Sequence, residues 1–247
     1  RAEAARIARS CFGEIRRLEA MFSLFDETST LSCLNRDGIV QEAPEEFTGL
    51  LNTAIRIGDV TGGAFDITVG PLWRLYERHF TQFPDDMVGP TDKEIDTARS
   101  LVDYRKIEVD GATVAFQDTG MSVTLNGIAQ GFVTDKIAEH LRRAGLHNVL
   151  VDMGELRGMG THDDGRPWSV GIADPDHVNN VLERVTLQDR ALATSGGYGT
   201  QFDRSGKFHH LFDPRFGTSA SHYKSLSVIA PTATIADGLS TGLSVLS

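Results

Sequence analysis

Cysteine is nearly absent: the 247 residues carry two, Cys11 and Cys33. Neither has the Cys and His company of a zinc site, and Cys11 falls on an apolar helical stripe, so both read as buried free thiols. No apolar run approaches the roughly 18 residues that a membrane span needs. Basic residues are outnumbered, 24 Lys and Arg against 34 Asp and Glu, for a formal net charge of −10. With no basic face to meet phosphates, duplex nucleic acid and anionic membranes are excluded as main partners. A P-loop and a dinucleotide-binding fingerprint are both missing. The opening Arg-Ala-Glu-Ala-Ala-Arg is charged and helical, without the pattern of a signal peptide.

What is present is a globular composition, 40% hydrophobic and 23% charged, with 25 glycines to serve turns and backbone-lined sites. The chain is organised around Leu125-Asn126-Gly127-Ile128-Ala129-Gln130-Gly131. Before it, Met121–Leu125 alternates like a strand. After it, Phe132, Ile137, Ala138 and Leu141 form a helical face that ends at Gly145, a C′ glycine. A strand, a turn of small residues and a helix N-terminus make an anion site or, more plainly, a tight turn without a ligand.

The remaining elements follow from periodicity. Ile7, Cys11, Ile15, Leu18, Phe22 and Phe25 mark an amphipathic helix over residues 2–25, and a second helix runs from about Pro44 to Val60. Phe65–Val69 alternates as a strand that Pro71 stops, and residues 74–90 read as a loop. Thr91 and Glu94 form a capping box for a short helix through Leu101. Asp110-Gly111 predicts a type I′ hairpin between Ile107–Val109 and Thr113–Phe116. Further strands are expected at 148–153, 168–172, 182–187, 191–194, 208–213 and 226–230, with a glycine-rich loop over Gly154–Gly160 and a last helix from Thr234. Strands outnumber helices and no βαβ spacing repeats, so the fold class is α+β with a mainly antiparallel sheet.

Asp237 and Thr241 lie four apart on the last helix, which puts a carboxylate and a hydroxyl on one face. These are hard oxygen ligands that suit Mg²⁺; the alternative is a surface Asp beside a solvated Thr. The apolar company of Ala236, Leu239 and Leu243 buries that helix, and a buried carboxylate needs a partner. His209 and His210 offer a base near neutral pH, but neighbours in a strand face opposite ways, so one serves chemistry and the other the fold. Ser195 lacks the glycine two residues before it that a hydrolase elbow requires. Asp152, Glu155, Asp163 and Asp164 cluster near the Gly154 loop, the last two as a solvated acidic turn.

Seven blocks together resemble the ApbE family of FAD:protein FMN transferases. They are Phe22–Asn35, Thr61–Thr68, Leu125–Phe132, Trp168–Pro175, Ala193–Gly196, His209–Arg215 and Ala236–Thr241. The resemblance implies one ApbE-like, T-fold-related domain over 1–247 that begins after the family's usual Met-Gly-Thr strand. It implies an enzyme that binds FAD and Mg²⁺, transfers FMN to a threonine of a client protein and releases AMP. An FAD pyrophosphatase and a non-catalytic FAD-binding protein are the alternatives. By the same resemblance the metal ligands fall on Asp237, Thr241 and the carbonyl of Ala129. Flavin contacts fall on Phe25, Ala64, Phe65, Asp66, Asn126, Phe132 and Leu211. His210 matches the histidine that acts near the acceptor threonine, and Asn35 a position that affects whether FAD is bound or hydrolysed. The loop reads Met153-Gly154-Glu155, one glycine short of the family's pattern. The surroundings of Ala193 and Ser219 are nearest the exported branch that serves nitrous oxide reductase maturation. That implies a periplasmic or otherwise exported protein whose client is a membrane flavoprotein.

Overall fold

The computed structural model describes residues 2–177 and 179–247. Its centre is an antiparallel sheet of β4 (Val149–Asp152), β5 (Leu156–Met159), β8 (Arg190–Gly196) and β11 (Ser225–Ala230), in the spatial order β11-β8-β5-β4. Alternation along these strands decides what covers each face. Ala191, Ala193 and Ala230 pack against Ala233 and Ala236 of α7 (Ala233–Ser244). Val151 and Met159, on the same side, meet Ile137 and Ala138 of α6 (Ala129–Arg143). Leu150, Leu156 and Leu192 turn the other way, onto Val170 and Leu187 of the ribbon β6 (Trp168–Ala173) and β7 (Val181–Leu187). The sheet is therefore sandwiched between a helix pair and a two-stranded ribbon.

A second core gathers α1 (Ala2–Phe22), α2 (Thr30–Asp37), α3 (Glu45–Val60) and a small sheet. That sheet is ordered β1-β3-β2, from β1 (Ile39–Val40), β2 (Ile107–Asp110) and β3 (Thr113–Phe116). A third core joins α4 (Gly70–Gln82) and α5 (Asp92–Arg99) through an aromatic cluster of Tyr76, Phe80, Phe208 and Phe212. β9 (Phe212–Asp213) and β10 (Thr218–Ser219) close the strand list for the described residues. Every ladder is antiparallel, as the α+β reading expects.

Local signals survive where they are chemically specific. The Thr91–Glu94 capping box forms at α5. At the end of α6, the Gly145 N–H donates to the Arg142 carbonyl and the Leu146 N–H to the Leu141 carbonyl, with Gly145 at φ +87°. The hairpin turn differs from type I′: the loop is Gly111-Ala112, and only Gly111 has positive φ. Cys11 and Cys33 are free thiols, but half-buried rather than buried.

Four other expectations are corrected. Pro71 does not stop a strand; it sits in the first turn of α4, where its missing N–H costs nothing, and that helix occupies much of the expected 74–90 loop. Phe65–Val69 is no strand, because the Asp66 carboxylate takes the Thr68 N–H and hydroxyl and curls the backbone into a turn. The Gly154–Gly160 loop is a hairpin, with Leu156–Met159 as β5. In the 208–213 segment only Phe212–Asp213 is a strand, and His209 makes an isolated bridge to Gln201.

Met121–Leu125 is extended yet joins no sheet. The side-chain amide of Asn35 takes the place of a neighbouring strand: its Nδ2 donates to the Val123 carbonyl at 2.8 Å and its Oδ1 accepts the Val123 N–H at 2.7 Å. Asn35→Ala should leave both backbone groups unpaired beneath the core and cost about 1–3 kcal/mol of unfolding free energy, read from the denaturant midpoint.

Candidate active site

A cleft of about 250 Å³ opens where the three cores meet. Its walls come from the turn at Phe65 and Asp66, the Thr124–Gln130 segment that leads into α6, the end of β8, the loop at Tyr198, His210 with Leu211, and α7. A roomier concavity, about 1080 Å³, lies between α4 and α5, but its charged side chains are all exposed. The smaller cleft holds the buried charges, and chemistry needs desolvated groups.

Asp237 sits at the centre, 4% exposed. Two braces fix it there. The first is at the start of α7, where the Asp135 carboxylate accepts the Ala233 and Thr234 N–H groups and pairs with Arg157 at 2.9 Å. Arg157 also donates to the Pro231 carbonyl at 2.7 Å. The second is Gly131, in the first turn of α6, whose N–H has no helical partner and donates to Asp237 Oδ2 at 2.9 Å. A side chain at 131 would overlap the Ala233 carbonyl and lie 2.8 Å from the Asp237 Cβ, so only glycine lets the helices cross this closely. Gly127 is matched the same way to Thr241, whose hydroxyl donates to the Gly127 carbonyl at 3.4 Å.

Burial pushes the Asp237 carboxyl well above its usual pKa; the charge of Glu155 adds to this and the Gly131 N–H opposes it. Glu155, in the β4–β5 turn and 8% exposed, is pushed up to about 7, first by burial and then by Asp152. Among the described residues no cationic side chain pairs with either acid, and Arg157 is committed to Asp135. Two buried acids without a counter-charge fit a divalent cation. No group of three or more His, Cys, Asp or Glu is placed to hold a metal among the described residues. A cation here would therefore complete its shell with hydroxyl, carbonyl and substrate oxygens. Thr241 would supply one of these; Ser195 Oγ lies 3.2 Å from its hydroxyl and 2.7 Å from that of Ser240.

His210 closes the opposite wall, edge-on to Trp73. Burial lowers its pKa, so the ring is neutral at pH 7. Its Nδ1 lies 3.1 Å from the Thr200 carbonyl and 3.2 Å from the Thr200 N–H. With Nδ1 donating to the Thr200 carbonyl, Nε2 is the nitrogen that can accept a proton; with Nδ1 accepting the Thr200 N–H, the roles reverse. His209 turns away, with Nε2 2.8 Å from the Ala220 carbonyl. Neither histidine bonds to Ser195.

Of the residues expected from sequence, the cleft brings together Phe65, Asp66, Asn126, His210, Leu211, Asp237 and Thr241. Ala129 is the first residue of α6, between Gly127 and Gly131. Asp66 lies in the cleft floor with its carboxylate turned to the fold; it takes three hydrogen bonds, from Thr68 and from the Tyr104 N–H, and burial lifts its pKa to about 6. Five of the expected residues lie outside the lining, Ala129 among them. Phe25 is 99% exposed on the loop after α1, and Ala64 is buried in the Thr61 turn. Phe132 packs edge-on against Phe22, and Asn35 holds Val123. Sequence reasoning missed Trp73, Tyr198 and Gln130, and read Glu155 only as a loop acid. An acid between Gly154 and Leu156, where alternation calls for an inward residue, is the signal that marked it.

The ApbE family model matches residues 2–247. The chain belongs to the ApbE family. It is 34% identical over 244 residues to the FAD:protein FMN transferase of Haemophilus influenzae, covering 94% of this chain and 70% of that one. It is 34% identical over 201 residues to the enzyme of the same name from Vibrio cholerae, covering 80% and 60%. Among solved structures, the ApbE protein of Thermotoga maritima superposes with a TM-score of 0.87 at 31% identity, over 98% of this chain and 79% of that one. The flavin transferase ApbE of Vibrio cholerae gives 0.82 at 29%, over 98% and 78%. Both confirm the mixed helix and antiparallel-sheet fold.

This ApbE chain depends on the glycine at the helix crossing. Gly131→Ala should cost about 1–3 kcal/mol by overpacking against the Ala233 backbone, measured by chemical denaturation. An unchanged midpoint would show that α6 and α7 separate freely, and that the close approach does not hold Asp237.

Proposed function

We propose that this chain is an FAD:protein FMN transferase: it moves FMN from FAD to a threonine of a client protein and releases AMP, with Mg²⁺ held by Asp237, Thr241 and the Ala129 carbonyl. The observation that carries the reading is a buried acid at the N-terminus of α6, without a cationic partner, facing a cleft that a neutral histidine closes from the other side. The names of the relatives at 34% identity support the same reaction.

In this reading the N-terminal turn of α6 offers its partial positive charge to the pyrophosphate. Phe65, Asn126 and Leu211 line the flavin side, with Ala64 behind Phe65. Phe25, the floor residue Asp66 and Phe132 complete the flavin contacts by family resemblance. Mg²⁺, when bound, neutralises charge on the phosphates. His210 Nε2 accepts the proton of the threonine hydroxyl as that oxygen bonds to the FMN phosphorus. The bond from phosphorus to the AMP oxygen breaks, and AMP leaves with its electron pair. Asn35 bears on the competition between threonine and water through the segment it holds. On its resemblance to the exported branch, the protein works in the periplasm or otherwise outside the cytoplasm, as one domain over 1–247, on a membrane-bound flavoprotein client.

The test is the intact mass of a threonine-containing client after incubation with FAD, Mg²⁺ and the protein. Addition of FMN is expected; release of FMN and AMP with the client unmodified would make the protein a pyrophosphatase instead. His210→Ala should lower transfer about 10²–10⁴-fold while FAD still binds. Asp237→Ala should abolish Mg²⁺-dependent turnover, and Thr241→Val should weaken it less. Wild-type Mg²⁺ dependence in Asp237→Ala would overturn the metal assignment.

A further inference from the structure

Asp237 has one carboxylate oxygen on the Gly131 N–H; the other takes no hydrogen bond among the described residues and opens to the cleft. Glu155 enters the same cleft from the sheet side. It is 8% exposed, and its side chain makes no ion pair and no hydrogen bond within ordinary limits among the described residues; the Thr194 N–H is the nearest donor. Its position is built rather than incidental. Gln130, in the first turn of α6, donates from Nε2 to the Met153 carbonyl at 3.0 Å and lies over Gly154, where any side chain would overlap it. That contact ties the β4–β5 turn to the same helix start that holds Asp237. A fold that brings two largely buried acids to one cleft, each with carboxylate oxygen left over, has made a destabilising contact unless a cation is shared between them.

We propose that Glu155 is a further ligand of the divalent-cation site, supplying a second carboxylate from the β4–β5 turn opposite Asp237. The cation would then bridge sheet and helix, joining β5 to α7 across the cleft. This rests on the cation site of the transferase reading but not on the transfer reaction, and it can be tested without FAD or client.

Mn²⁺ binding is measured on the wild type, Glu155→Gln, Glu155→Asp and Asp237→Ala, by titration calorimetry and by the loss of the free-Mn²⁺ electron paramagnetic resonance signal. Glu155→Gln should weaken binding by at least about tenfold, the scale of removing a group that supports a metal. Glu155→Asp, which keeps the charge on a shorter arm, should fall between. A second readout separates a ligand from a structural residue. In chelator, Glu155→Gln should unfold at a temperature equal to or above the wild type, because like charges no longer face each other; in saturating Mn²⁺ the order should reverse. Equal Mn²⁺ affinity in wild type and Glu155→Gln, with Asp237→Ala deficient, overturns the role of Glu155 and leaves the Asp237 site standing. Absence of Mn²⁺ binding by the wild type overturns both.

Discussion

The structure turns on one expensive arrangement, the burial of the Asp237 carboxylate. Its pKa is raised by folding, so the protonated acid is tolerated and the ionised one weakens the fold as pH climbs through the raised value. Much of the surrounding structure offsets that cost. The N-terminus of α6 points its free N–H at the charge, Asp135 and Arg157 clamp the start of α7, and Gly131 removes the side chain that would hold the helices apart. In the proposed reading a cation would complete what these devices leave undone, so that ligand binding and stability would share one residue.

The cleft divides its labour between rigid and adaptable walls. Asp237, Thr241 and Ser240 stand on one helix, where register sets spacing. His210 and Tyr198 stand on connecting segments with little ladder around them, and His210 is oriented by the Thr200 backbone rather than by a partner acid. Charge is thus held on the helix, and the neutral histidine stands on the connecting segment across the cleft from it.

Much of this was legible in the residues. Thr91 with Glu94, Gly145 after the α6 face, and the 3–4 spacing of Phe47, Leu50, Leu51 and Ala54 each encode their element locally, and each formed. The Asp237 and Thr241 pair needed only helical periodicity. What failed had both local and non-local causes. Phe65–Val69 and Met121–Leu125 alternate as strands do, but side chains of Asp66 and Asn35 supply the hydrogen bonds that a ladder would have made. The α4 helix hid behind Pro71, read as a stop when it was a start, although Leu72, Leu75, Tyr76 and Phe80 carry helical spacing. Glu155 gained its meaning from an acid 82 positions away in sequence, 237 − 155, which no window along the chain can see.

The alanine layer between the central sheet and α7 has a consequence for variation in this protein. Ala191, Ala193 and Ala230 on the strands face Ala233 and Ala236 on the helix, all nearly inaccessible. Such a layer works as a shim whose thickness is one methyl group. Interiors are packed too densely to absorb added methylenes locally, so a larger residue there would lift α7 as a rigid body. The lift would be felt at Asp237 and Thr241, which ride on the same helix. Positions with no polar atom and no view of the cleft thereby set the distance across it, and natural substitutions at these alanines would retune the site from behind.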